Sequence, residues 1–274
     1  MRWAICNEIL EDRPLAVAFA AFADAGYKAL EIAPFTLAAG AAPSELDAER
    51  VRRIAADQGL AILGMHWLLA RTEGLHVADP ARREQTLERL RSLTRACAAM
   101  GGSIMVFGSP AQRSTPPGMD PAEARSRALE VFGAWAESAH DAGVTVCLEA
   151  LPRDETDFMT TTQEVIDVVR ELDSPAVRLV LDVKSMADER TPMPELIHLA
   201  APYVAHVQAN DANRGGPGFG DTDFVPILSA LHEIGYDGDV SVEAFDYRPD
   251  PMTVVTGSIR TLRLAARAAG IPTT

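Results

Sequence analysis

A closed (β/α)₈ barrel is the fold this sequence predicts, and three observations predict it. Strand-like and helix-like segments alternate eight times along 274 residues, and strict alternation implies parallel strands. The strand-like segments are mostly continuous apolar runs, as expected when both faces are covered. After the first strand stands Asn7-Glu8-Ile9-Leu10-Glu11-Asp12, with no glycine. A doubly wound open sheet, the structural competitor, usually carries a glycine-rich phosphate loop there. Eight units over this length fit one barrel domain, residues 1–274.

Residues 3–6 form the first strand, and a helix over 14–25 is stopped by Gly26. The second strand is 29–32. A helix over 44–58 has Ser44 as its N-cap and Gly59 as its stop. The third strand, 60–65, runs into His66-Trp67, and a long loop covers 68–78. An amphipathic helix spans 79–100, with Pro80 suited to its first turn and Gly101-Gly102 ending it. The fourth strand is 103–107. Asp120-Pro121 opens a helix to about Ala142, closed by Gly143. The remaining helices are 161–172, 193–201, 223–234 and 252–269. Between them lie four strands with a shared feature. Val144 to Leu148 ends in Glu149, Val177 to Leu181 ends in Asp182, Val204 to Val207 ends in Gln208, and Asp239 to Val242 ends in Glu243.

Composition narrows the function classes. A net charge of −14 and the lack of any Lys/Arg cluster argue against nucleic acid. No apolar run reaches the roughly 18 residues a membrane span needs. The N-terminus lacks a signal-peptide pattern. Cys6, Cys97 and Cys147 are scattered in apolar segments and read as buried thiols of a reducing compartment, so cytoplasm is expected. The helix-covered exterior leaves homo-oligomerisation open.

In such a barrel the C-terminal strand ends share one face, where the active site sits. A single acidic residue ending a strand is commonly a helix N-cap. Four polar ends on consecutive strands call for more. Three carboxylates brought together raise one another's pKa unless a cation compensates them. Glu149, Asp182 and Glu243 with the amide oxygen of Gln208 suit a hard divalent ion: Mn²⁺ first, then Mg²⁺, with Co²⁺ or Zn²⁺ as alternatives. His66 and Trp67 read as pocket-lining, with a packed aromatic pair as the competing reading. His206 shares the face of Gln208 by strand alternation and is either a hydrogen-bonded lumen residue or a ligand. Lys184 and Ser185 either reach the site or turn the chain. Asp211 either serves the site or caps a turn, with Arg214 as its partner. The segment 109–119, with Arg113, is a lid, an anion contact or a plain loop.

At these residues the sequence resembles the sugar phosphate isomerase/epimerase superfamily of xylose-isomerase-like TIM barrels, over essentially the whole chain. The motifs carrying the resemblance are Gly26-Tyr27-Lys28-Ala29-Leu30-Glu31-Ile32, Val106-Phe107-Gly108-Ser109-Pro110, Leu148-Glu149, Leu181-Asp182, the stretch from His206 to Arg214, Pro217 to Phe224, and Ser241-Val242-Glu243. The ketose 3-epimerase branch implies a metal held by Glu149, Asp182, the residue at 208 and Glu243, with Glu149 and Glu243 as the acid/base pair. It further implies Glu155 and Arg214 as substrate contacts. Two positions depart from that branch: Gln208 stands where histidine is usual, and Ser185 where a substrate-contacting histidine is usual. Glutamine at 208 is similar to the hydroxypyruvate isomerase branch.

The expected function is a metal-dependent isomerase or epimerase of a keto- or aldose sugar, working through a cis-enediolate with the glutamate pair as acid and base. The alternatives are a metal-dependent lyase that cleaves 3-keto (C-)glycosides by β-elimination, with Trp67, Phe35 and Phe107 either lining an aglycone pocket or equally belonging to the core, and a non-catalytic sugar-binding barrel. A relative that cleaves DNA at apurinic sites would want more histidine ligands and a basic groove, and the acidic balance opposes it.

Overall fold

The computed structural model describes residues 1–37 and 44–272. Eight parallel strands close into a barrel in sequence order, β8 pairing back onto β1. They are β1 Arg2–Cys6, β2 Ala29–Ile32, β3 Ala61–Met65, β4 Ile104–Phe107, β5 Thr145–Glu149, β6 Val177–Asp182, β7 Val204–Ala209 and β8 Asp239–Val242. The helices among the described residues are α1 Leu15–Ala25, α2 Glu45–Asp57, α3 Arg83–Met100, α4 Pro121–Asp141, α5 Thr162–Leu172, α6 Val183–Asp188, α7 Met193–Ala200, α8 Phe224–Glu233 and α9 Pro251–Ala268. None is long and apolar enough to cross a membrane.

Side-chain caps set the helix starts. Asp120, Thr161, Asp223 and Asp250 each accept a backbone N–H of the first turn, and Ser44 forms a reciprocal capping box with Asp47. Two elements differ from the expected ones. α3 begins at Arg83, because Asp79 holds a separate turn that contains Pro80. Its side chain takes the Ala81 N–H at 2.9 Å and its carbonyl takes the Arg82 N–H at 3.0 Å. The short helix α6 follows β6 without a loop, because Asp182 ends the strand and caps the helix at once, accepting the Ser185 N–H at 2.8 Å.

Strand alternation divides the interior into two compartments. Outward residues such as Trp3, Ile5, Leu30, Phe107, Leu148 and Leu181 pack under the helices in one large core. Phe107 lies there against Phe132 and Trp135, fully buried, so it does not line a pocket. Inward residues fill the lumen. Its floor is small and apolar, with Ala4, Ala29, Leu63, Ile104, Cys147 and Val180. Two residues further along several of the same strands the lumen turns polar: Cys6, Glu31, Glu149 and Asp182. β7 and β8 add His206, Gln208 and Ser241 to this layer. The fold therefore assembles the site by direction alone, apolar below and polar above.

Candidate active site

Glu149, Asp182, Gln208 and Glu243 all emerge at the C-terminal mouth and are 7%, 2%, 1% and 4% exposed. Above them lies a cavity of about 340 Å³, lined by Glu149, Glu243, His66, Trp67, Glu155, Lys184, Arg214 and Phe245 among others. Every site residue expected from the sequence lines this cavity except Asp182 and Gln208, which sit deeper. Gln208 pairs in register with Asp182 on the neighbouring strand.

The carboxylates feel one another. Burial pushes the Glu149 carboxyl well above its ordinary pKa; Asp182 and Glu243 add to the rise, and Lys184 and Arg113 oppose it. Glu243 is also raised, by burial first and by Asp182 and Glu8, although His66 pulls it down. Asn210 stands between two of the acids: its amide donates to Asp182 Oδ2 at 2.5 Å and to Glu243 Oε2 at 3.4 Å. Its own oxygen accepts the Lys184 N–H at 2.7 Å. Gly108 gives Glu149 its room, because a β-carbon there would lie 2.3 Å from Glu149 Oε2.

Glu243 is the most heavily oriented of the acids. His66 Nδ1 lies 3.2 Å and Trp67 Nε1 3.0 Å from its Oε1. The other ring nitrogen of His66 meets Glu8 Oε2 at 2.9 Å. Burial favours neutral His66, yet Cys6, Glu8 and Glu243 around it raise its pKa well above the ordinary value. Cys6, Glu8, His66 and Glu243 place one potential ligand atom each within 4.8 Å of one another, the one such group among the described residues. Glu149, Asp182 and Glu243 stand further apart than that.

On the opposite wall, Glu155 Oε1 is clamped by Lys184 Nζ at 2.9 Å and by the Arg214 guanidinium at 2.7 Å. Arg214 thus pairs with Glu155 and not with Asp211. Asp211 organises its own loop, accepting from the Gly220 N–H and from the Thr222 N–H and hydroxyl. Arg113 is no anion contact: it is buried, and it donates to the carbonyls of Glu149 at 2.7 Å and Met159 at 3.0 Å. Ser185 lends its N–H to Asp182, while its hydroxyl is buried without a partner. Trp67 packs between Phe35 and Phe245, with ring centroids 5.9 Å away on each side. Among the described residues, four of the six non-glycine residues with positive φ, Trp67, Arg71, Ser109 and Arg214, line the cavity, a concentration of backbone strain typical of functional sites.

A second polar cluster lies just below. Glu31, fully buried, meets His206 Nε2 at 2.9 Å and accepts from Gln208 Nε2 at 3.1 Å. Burial disfavours its ionised form, but His206, with help from His66 and Ser241, lowers its pKa to about 2. His206 is thus a hydrogen-bonded lumen residue. Gln208 Oε1, at the other end of the amide, is buried with no hydrogen-bond partner.

Glu31, Glu8 and Phe245 are site residues that sequence reasoning did not assign. Glu31 had one available signal, a lone acid inside an apolar strand that shares the lumen-facing parity of the floor residue Ala29. Nothing local marks its partners, which lie 175 and 177 residues away.

Comparison with known proteins agrees with this architecture. A family model described as xylose isomerase-like TIM barrel matches residues 19–265. The chain belongs to that family. An L-ribulose 3-epimerase of Methylomonas sp. (strain DH-1) is 28% identical over 228 residues, covering 83% of this chain and 77% of the relative. A D-psicose 3-epimerase of Ruminiclostridium cellulolyticum is 36% identical over a shorter stretch of 119 residues. That stretch spans 43% of this chain and less than half (41%) of that enzyme. Among solved structures, a 3-keto-D-glucoside 4-epimerase from E. coli superposes with a TM-score of 0.84, covering 96% of this chain and 99% of the other at 21% identity. At that identity the superposition speaks for the fold.

Proposed function

We propose that this chain is a sugar epimerase or isomerase that moves a proton at the carbon beside a carbonyl, with Glu149 and Glu243 as the acid/base pair. One observation carries the reading: two buried glutamates from β5 and β8 face the same cavity, each held above its ordinary pKa. Two carboxyls on one cavity are the parts that proton abstraction and return require. The relatives named for ketose 3-epimerisation make free ketoses the first substrates to try.

The donor set fits a divalent metal ion. Glu149 and Glu243 are buried carboxyls raised by burial and by neighbouring acids, and Gln208 Oε1 has no partner among protein atoms. Glu149, Asp182, Gln208 and Glu243 would hold the ion, an all-oxygen set that suits Mn²⁺ or Mg²⁺. When bound, it would polarise the substrate carbonyl and acidify the neighbouring C–H. The protein's own groups do the rest. One glutamate takes the proton as the C–H electron pair moves toward the carbonyl. The second returns a proton to the opposite face for epimerisation, or a proton returns to the adjacent carbon for isomerisation. His66 and Trp67 fix Glu243, and the Lys184–Glu155–Arg214 clamp presents a fixed acceptor to substrate hydroxyls.

The test is solvent exchange. Manganese-loaded protein is incubated in D₂O with D-psicose, D-fructose, L-ribulose and a 3-keto-glucoside, and followed by NMR. Deuterium at the carbon beside the carbonyl, lost in Glu149→Gln and Glu243→Gln, is expected; exchange that persists undiminished in both variants rejects the roles. A second reading rests on the aromatic pair Trp67 and Phe245, which line the cavity; Phe35 packs behind Trp67 and does not line it. There, the same proton abstraction would lead to loss of an aglycone from a 3-keto-glycoside, and release of that aglycone in the same experiment would select it.

A further inference from the structure

We propose that Glu31 is a positioning residue that fixes which end of the Gln208 side chain is offered as a ligand. The inference deepens the metal-centre reading above and rests on it. An ionised carboxylate has only acceptor atoms, so of the two ends of an amide only the NH₂ end can face it. Glu31 Oε1 takes that end at 3.1 Å. Its other oxygen is occupied by His206 Nε2 at 2.9 Å and the Cys6 thiol at 3.6 Å, which leaves Glu31 no freedom to turn away. The amide is planar and trigonal, so its oxygen points away from Glu31, and there it finds no partner.

On the adjacent strand, Asp182 pairs in register with Gln208. Its carboxylate is already supplied. Its Oδ2 accepts from Asn210 at 2.5 Å and its Oδ1 from the Ser185 N–H at 2.8 Å. Glu31 holds the NH₂ end, and an oxygen, not a non-ligating NH₂, is left facing away from it. All the residues involved are 2% exposed or less, apart from Ser185 at 4%. An orienting partner one step behind a ligand commonly controls about 10–100-fold of metal affinity.

The experiment is a Mn²⁺ titration of the metal-stripped full chain, read by the electron paramagnetic resonance of free Mn²⁺. It compares wild type, Glu31→Gln, Gln208→Ala and the double variant, each checked for wild-type circular dichroism. Glu31→Gln, whose amide can accept or donate and so no longer dictates the orientation, is expected to weaken binding by about 10–100-fold. In the Gln208→Ala background the same change is expected to do nothing further, because Glu31 acts through Gln208. Wild-type affinity in Glu31→Gln overturns the proposal, and so does an equal loss in both backgrounds. Should Glu31→Gln misfold, Glu31→Asp keeps the charge but draws the acceptor back by a methylene; weaker binding supports the proposal and unchanged binding overturns it. Gln208→Ala binding Mn²⁺ like wild type, or a wild type that binds none, rejects the metal-centre reading itself, a result that is visible without any change at Glu31.

Discussion

Glu31 and Glu149 are the same residue type, both buried in one barrel, and their surroundings drive them in opposite directions. Glu31 has His206 against it and amide and thiol donors around it, and its pKa falls to about 2. Glu149 has two other carboxylates near it, and its pKa rises well above the ordinary value. Burial opposes ionisation in both; the neighbours decide. A carboxylate with its partners complete holds geometry, whereas one crowded by its own kind is ready for a proton or a cation. Around Glu31 the protein's own side chains complete the contacts; around Glu149 the acids are left facing one another.

The largest expected effect lies among the crowded acids. Glu149→Gln and Glu243→Gln each remove a proton acceptor and should lower kcat by about 10²–10⁴-fold, with smaller changes in KM. Steady-state kinetics on the ketose that exchanges best checks this. Full activity in either variant would mean that crowding at the mouth is not catalytic. Around Glu31 the effect should appear in stability. His206→Ala leaves the Glu31 charge buried without its main partner, and urea unfolding should show a loss of about 3–5 kcal/mol. A loss well under that range would show that Glu31 is compensated by something other than His206.

The two surroundings also separate with pH. Glu149 has a folded-state pKa raised above its ordinary value of 4.5, so its contribution is most favourable below that value and is lost as pH rises through the folded pKa. Metal-stripped protein should therefore melt at progressively lower temperature as pH increases past 4.5, and Glu149→Gln should flatten that slope in differential scanning calorimetry. An identical slope in the variant would assign it to other groups. The smallest effect belongs to charges outside both. Arg95 and Glu88 pair at 2.9 Å on the surface of α3, with about 60% of each side chain exposed (59% and 62%). Arg95→Ala should change stability by about 0.5 kcal/mol or less.

The barrel was legible in the sequence because its two signals repeat: apolar runs of strand length, and caps and glycines that bound the helices. Asp182, Glu149 and Glu243 were legible for the same reason, since a polar residue ending an apolar run marks a strand end whatever its partner. His66, Trp67, Glu155 and Arg214 reached the cavity as expected. What was not legible depends on closure. Glu31 and His206 are assigned to each other only when β2 and β7 face across the lumen, and Asn210 bridges Asp182 and Glu243 only when β6, β7 and β8 lie side by side. Arg113 shows the converse. Its segment read as a lid, an anion contact or a plain loop, but its guanidinium found two carbonyls and went inside. Phe107 read equally as a pocket or a core residue from its place near a strand end, and its parity put it in the core under the helices.

Gly108 carries a consequence for anyone reading variants of this protein. It has no functional group, yet every other amino acid would put a carbon where the Glu149 carboxylate rests. In a saturation screen scored on turnover, position 108 will behave like a member of the reaction machinery, intolerant of even alanine. In a screen scored on folding yield it will look far more permissive. The gap between those two scores is the signature of a position whose contribution is empty space.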